Sequence, residues 1–269
     1  PPQNIVLMMT RIILTIAITI AAALPAKAQQ PLKNTAFKGG ETLEYKMYFN
    51  WKFIWLNAGT ATMKTTECNY AGKKAYRCAL TTRSSAKIDK YFRLRDTLLC
   101  YTTRDLIPLY YRKGADEGKR YYVDELFYEY KNGCHVTMKE LTAGGERKQQ
   151  RHSSKQNIYD MLSVFLRARN FSTDGWKPGR TILFPIADGN GVQTARLRYR
   201  GKSTVKAEDG VKYKCLELSY IEGEGDEEKE IVRFFVTDDK RHIPIRLDLF
   251  LKFGSAKAYL KSMKGCVAP

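Results

Sequence analysis

Apolar and polar residues alternate at period two along almost the whole chain, and this limits its fold more than any other feature. The run Glu41 to Asn50 sets the pattern. Leu43, Tyr45, Met47 and Phe49 fall on one side, Glu44, Lys46 and Tyr48 on the other. Successive side chains of a strand point to opposite faces, so this run reads as a half-buried, aromatic-rich strand. Ala58 to Met63 continues the pattern with small residues, which predicts a close approach of two backbones. Further strands are predicted at 76–82, 96–103, 108–112, 119–131, 135–141, 181–186, 193–200, 211–221, 230–237, 243–251 and 256–263. Asn132-Gly133 supplies a hairpin turn between two of them.

One segment breaks the rhythm. Ile158, Met161, Leu162, Phe165 and Leu166 recur at helical spacing, predicting a helix over 158–170 with Asp160 in its first turn and Arg167 and Arg169 in its last. Turn residues from Ser172 to Gly179 follow. More than ten strands, one helix and no internal repeat predict a single mainly β domain over 41–266. An antiparallel sheet of that size must curl, split or close to manage its edges. The expected architecture is therefore one large antiparallel β-barrel or β-roll, closed or half-open, with the helix packed on it through Leu162 and Phe165.

The N-terminus carries targeting information instead of fold. Arg11, the apolar run Ile12 to Leu24 and the small residues of Ala26-Lys27-Ala28 form a secretory signal peptide over 1–28, behind an upstream extension. A run of thirteen residues, 12–24, is too short to span a bilayer, which needs about 20. The expectation is an exported chain, periplasmic or secreted, with a polar linker over 29–40 and no transmembrane span after cleavage. Export changes how the net charge of +18 is read. Removing Arg11 and Lys27 leaves 44 basic against 28 acidic residues, or +16. Outside the cytoplasm that excess points to lipid head groups or anionic polysaccharide as partner, and not to nucleic acid.

Chemistry is sparse. His135, His152 and His242 are far apart and in no metal-ligand spacing, and the six cysteines form no C-x-x-C pair. Gly201-Lys202-Ser203 lacks the leading glycine of a P-loop, and no G-x-S-x-G occurs. No catalytic residue, cofactor or metal is assigned. Cys68 and Cys78 flank a turn-rich stretch and are the disulfide candidates, against the alternative of buried free thiols. Asp238-Asp239 supports a polysaccharide-acting hydrolase only if the two carboxylates face a cleft; otherwise it is a solvated turn. Aromatic and basic residues interleave at Tyr91-Phe92-Arg93-Leu94-Arg95, which makes Arg93 and Arg95 candidates for binding an amphipathic anion.

Three ordered stretches resemble one exported bacterial family, the domain of unknown function DUF3108. They are Gly40-Glu41-Thr42-Leu43-Glu44-Tyr45 with Asn57-Ala58-Gly59-Thr60-Ala61, then Asp160-Met161-Leu162-Ser163 with Arg169, then Val236-Thr237-Asp238-Asp239 with Ile243-Pro244-Ile245-Arg246 and Gly254-Ser255. Met161 stands where the family often has Pro, and Phe235 where it often has Trp. The resemblance implies a secreted, mostly β domain and transfers no activity. Arg169 and Arg246, at motif positions, join Arg93 and Arg95 as candidate ligand-binding residues. The expected function is a non-enzymatic binder of a hydrophobic or anionic envelope molecule, lipid or polysaccharide. A hydrolase using the loop carboxylates and a structural envelope module are the alternatives.

Overall fold

The computed structural model describes residues 32–51, 54–189, 191–223, 225–251 and 254–269. The signal-peptide reading of 1–28 lies outside the described residues. Among these described residues fourteen strands form one sheet: β1 (Thr42–Trp51), β2 (Ile54–Tyr70), β3 (Lys73–Ser84), β4 (Leu94–Thr103), β5 (Pro108–Glu117), β6 (Arg120–Tyr130), β7 (Cys134–Leu141), β8 (Arg147–Ser154), β9 (Thr181–Asp188), β10 (Gly191–Lys206), β11 (Lys212–Glu222), β12 (Lys229–Thr237), β13 (Pro244–Leu251) and β14 (Gly254–Lys264). Their spatial order is β8-β7-β6-β5-β4-β3-β2-β1-β14-β13-β12-β11-β10-β9. Every pairing within it is antiparallel. The sheet is mainly a meander whose ends, β8 and β9, remain unpaired with each other. It is a half-open roll.

Alternation built the expected strands, and two departures have clear causes. Ala58 to Met63 is the middle of the longer β2, and Gly59 is where the backbones meet: a Cβ there would lie 2.0 Å from the Arg83 carbonyl oxygen. Strand β8 was absent from the expected set because Arg147 to Ser154 contains no apolar residue. It is an edge strand, and a wholly polar sequence suits an edge that must not recruit another chain.

Among the described residues there are two α-helices where one was expected. The four-residue α1 (Ala86–Asp89) is too short to show a periodicity, and Ser85 caps it. The longer α2 (Met161–Ala168) is shorter than the predicted 158–170. Ile158 and Tyr159 are extended, because the Tyr159 N–H donates to the Pro185 carbonyl and its own carbonyl accepts from Ala187. Asp160 is consequently the N-cap and not a first-turn residue. Its Oδ1 accepts from the Ser163 N–H at 2.8 Å while its own N–H donates to Ser163 Oγ at 3.0 Å, a reciprocal capping box.

The inner face of the roll packs on α2. Leu162 and Leu166 are buried with Leu43, Cys78, Cys100, Leu126 and Val136, and the Phe165 ring meets Phe234 at 5.9 Å. Residues 32–40 carry no strand or helix, yet they are a packed strap and not a free tether. Ala36 and Phe37 are buried, and the Thr35 and Ala36 N–H groups donate to Asn170 Oδ1.

Burial of the helix cap has a titration consequence. Asp160 is fully buried, and that desolvation pushes its carboxyl up to about 6 although Ser163 and Tyr128 hydrogen-bond it. A raised carboxyl pKa means the folded state holds the proton that the unfolded state has released, so this group weakens the fold as pH rises from about 4 to 6. Asp160→Asn keeps an Oδ1 acceptor and removes that slope. Asp160→Ala loses the cap as well, at a cost of about 1–2 kcal/mol. Urea unfolding between pH 4 and 8 checks both: the Asn variant should gain on the parent as pH rises, and the Ala variant should fall below the Asn variant throughout.

Candidate functional site

The four candidate arginines do not converge. Each already holds a carboxylate of the same chain. Arg93 donates to both oxygens of Asp116 at 2.9 and 2.6 Å, and Arg95 pairs with Asp89 at the start of β4. Arg246 pairs with Asp248 through Nε at 2.6 Å, and its guanidinium lies over the Phe235 and Tyr259 rings on the outer face. Arg169, the C-cap of α2, is buried and grips Glu41 through two hydrogen bonds of 2.5 and 3.0 Å. It also donates from Nε to the Arg241 carbonyl. Burial of both partners makes this a structural clamp.

Glu41 was not among the sequence candidates, although a signal for it exists. It is in phase with Leu43, Tyr45 and Met47, so a carboxylate stands on the apolar face of β1 and requires a partner there. His242 belongs to the same corner. Its Nδ1 lies 2.8 Å from the Arg169 carbonyl oxygen, and burial lowers its pKa, which favours the neutral ring.

The register corrects the disulfide candidate. Cys68 opposes Ala75 across β2 and β3, while Cys78 opposes Thr65. Cys78 is three residues beyond Ala75, an odd offset, so Cys68 and Cys78 point to opposite faces and cannot bridge. None of the six cysteines is bridged in this structure. Directly opposite Cys78, on the inner face, is Cys100 of β4.

Asp238 and Asp239 border a cleft of about 370 Å³ shared with Asn170, Asp174 and His242. Both are engaged. Lys202 donates to Asp238 at 2.7 Å. Burial raises the Asp239 carboxyl, but hydrogen bonds from Arg241 and Thr237 outweigh it and leave the pKa below the ordinary value. A general acid needs the opposite shift.

A better-placed acid pair lies on the inner wall. Asp96 of β4 faces Glu117 of β5, with Lys113 and Tyr122 beside them, and the Tyr122 hydroxyl donates to Glu117 at 3.0 Å. Burial, reinforced by the Glu117 charge, pushes the Asp96 carboxyl up to about 6. Lys113 lies 5.0 Å over the Tyr122 ring and supplies the compensating charge. This group can exchange a proton near pH 6; Lys113 and Tyr122 neutralise and bond its Glu117 side, while Asp96 Oδ1 has no hydrogen-bond partner. A second cleft, about 430 Å³, reaches the inner wall at Asp124 and Glu140 and is otherwise bordered by Lys148 and Gln150. Among the described residues, no three or more His, Cys, Asp or Glu are grouped to hold a metal ion.

One end of the roll is different in character. Because each strand pairs antiparallel to its sequence neighbour, every odd-to-even connection lies at the same end. Four of these tips, β13–β14, β1–β2, β3–β4 and β5–β6, are consecutive around the sheet. They carry eight of the twelve exposed large apolar side chains among the described residues: Phe250, Leu251, Ile54, Trp55, Leu56, Tyr91, Phe92 and Tyr121. Tyr91 is 87% exposed and Ile54 63%. Cations interleave with them. Lys257 Nζ lies 4.6 Å above the Trp55 ring, and Lys87, Lys90, Lys119 and Arg120 are exposed along the same tips.

The tips also brace one another. The Gly118 N–H donates to the Arg93 carbonyl at 2.7 Å, and a Cβ on Gly118 would come within 3.2 Å of the Phe92 ring. The β11–β12 tip, by contrast, is acidic through Asp226 and Glu227. The aromatic-basic character is thus confined to one arc of the rim. Interleaving at Tyr91-Phe92-Arg93 pointed to one of these tips. Its juxtaposition with Trp55 and Phe250 depends on strand order and is not visible in the chain.

The family described as a protein of unknown function, DUF3108, matches residues 44–261, and the chain belongs to it. No curated protein matches. Among solved structures, a crystal structure of a β-barrel-like protein of the domain of unknown function DUF1849 from Brucella abortus is similar, with a TM-score of 0.55 and 10% identity. That similarity covers 87% of this chain and 100% of the other, and at such identity it concerns the fold alone.

A structural role for Arg169 makes its own prediction. Arg169→Met leaves the Glu41 carboxylate buried without its cation, and unfolding free energy should drop by about 3–5 kcal/mol. The double variant Glu41→Leu, Arg169→Met removes both charges and should recover most of that loss in guanidinium unfolding. If the double variant is no better than the single, the clamp assignment is wrong.

Proposed function

We propose that this DUF3108 member is an exported, non-enzymatic protein that docks on an anionic lipid surface through the aromatic-basic rim. The observation that carries this reading is the contiguity of exposed Trp55, Tyr91, Phe92 and Phe250 with Lys87, Lys90, Lys119 and Lys257 on four neighbouring hairpin tips. Trp and Tyr combine an apolar body with a polar edge and favour the head-group region of a bilayer. Basic side chains near an anionic surface add about 1 kcal/mol each at physiological salt. An apolar patch on a soluble surface marks an interaction site when it is contiguous, as here.

Lipid suits the rim better than polysaccharide does. Ile54, Leu56 and Leu251 present aliphatic surface, which gains from an acyl environment and not from a hydrated sugar. A lipid held inside the roll has less support, since α2 and its apolar partners occupy the inner face and the two clefts are bordered mostly by polar and charged residues. Among the described residues no helix is long and apolar enough to cross a membrane.

Co-sedimentation of the full chain with phosphatidylglycerol and phosphatidylcholine vesicles tests the proposal. The parent should prefer the anionic vesicles and lose affinity as salt rises from 0.05 to about 0.5 M, as exposed charges are screened. Trp55→Ser with Tyr91→Ser and Phe92→Ser should weaken binding about tenfold or more, and Lys87→Ser with Lys90→Ser should reduce both affinity and salt dependence. Every comparison is made within the same full chain, so the contribution of residues 1–31 cancels. Variants that bind like the parent, or retention on an anionic polysaccharide column with no vesicle binding, would sink the lipid reading.

A further inference from the structure

We propose that Cys78 and Cys100 form a disulfide that staples β3 to β4 on the inner wall of the roll. The two residues are directly opposite in the β3–β4 register, and both are fully buried. Directly opposed residues of an antiparallel pair have Cα atoms about 4.5 or 5.5 Å apart, inside the roughly 4.4–6.8 Å range of disulfides. Their side chains share a face, so a rotation about χ1 is the main movement needed. Cys68, Cys134, Cys215 and Cys266 have no such opposite number among the described strand pairings.

The inference rests on the exported reading only for where the bond forms in a cell. The chemistry needs a disulfide-bearing oxidant. One cysteine thiolate attacks the oxidant's S–S bond, forming a mixed disulfide and releasing one oxidant thiol. The second cysteine thiolate then displaces the other oxidant thiol and completes the Cys78–Cys100 bond. Two protons leave the cysteines and end on the two released thiols, and the oxidant takes up two electrons. Burial also raises the Cys100 thiol well above its ordinary pKa, which suppresses the attacking thiolate in the folded state. Oxidation therefore takes place while β3 and β4 are still open to solvent. The bridge closes the segment 79–99, which carries α1, Tyr91 and Phe92, and so anchors part of the aromatic rim from beneath.

The full chain, reduced and unfolded, is refolded in a glutathione buffer containing oxidised glutathione, alkylated in denaturant without reductant, and cut with trypsin. The expected product links the peptide 78–83 to the peptide 96–104, with the loss of two hydrogens. Reduction of the refolded protein should lower its melting temperature by roughly 5–10 °C. The same reductant should leave Cys78→Ser unmoved. Alkylated Cys78 and Cys100 after oxidative refolding would overturn the proposal, and so would a link from 78–83 to the Cys68 peptide 65–73. A bridge that forms in glutathione buffer but is missing from protein taken from cells supports the pairing and tells against export alone.

Discussion

Arg169 gathers four separate pieces of chain at one buried point. Its guanidinium is clamped by Glu41 just before β1, donates to the Ala36 carbonyl of the N-terminal strap and to the Arg241 carbonyl between β12 and β13, and belongs to the end of α2. Its own carbonyl receives His242. The sheet needs such a point because hydrogen bonding does not close it. With β8 and β9 unpaired, the curl is held from inside, by α2 packing along the inner face and by polar contacts at the ends of that helix. A buried ion pair adds little over a hydrophobic replacement, but it tolerates no substitute partner and no shifted register. That intolerance is what a half-open roll requires of its central pin.

Much of this could be read along the chain, and what could not has a common cause. Alternation located nearly every strand, since a half-buried face writes itself into the residues. It failed at Arg147 to Ser154 because an edge strand with two wet faces has nothing to alternate. The helix was legible from Ile158 to Leu166, but its start was misplaced by tertiary pairing, when Tyr159 joined β9 through the Pro185 and Ala187 backbone. Pairing between distant strands was the larger gap. Cys68 and Cys78 are close in sequence and lie on opposite faces, whereas Cys78 and Cys100 meet because β3 and β4 align residue for residue. Arg93, Arg95 and Arg246 looked available for an anion until the carboxylates of Asp116, Asp89 and Asp248 were placed beside them.

Those carboxylates also refine the meaning of a net charge of +18. On the outer face, arginines and acids form ladders: Arg198 with Glu228, Arg233 with Glu230, and Arg246 with Asp248. Such ladders protect the sheet surface and bring little net field, because each cation is answered locally. Exposed lysines stand on the tips at Lys87, Lys90 and Lys119, beside rings that no core residue covers, and at the other end at Lys73, Lys74, Lys131 and Lys206, so only on the tips do they meet exposed aromatic side chains in numbers.

The roll therefore has two chemically different ends. The end near Arg169 buries its Glu41–Arg169 pair and packs the strap against it. The opposite end leaves aromatic and aliphatic side chains in water, on hairpin tips of which two are joined by the Gly118–Arg93 backbone bond. Exposed apolar surface on hairpin tips is unfavourable in an isolated protein, and here nothing in the fold requires it, because the hairpins would close equally well with polar residues. A cost that folding does not explain, concentrated on one arc and matched there by one sign of charge, is accounted for by a surface that removes both the apolar area and the cations from water.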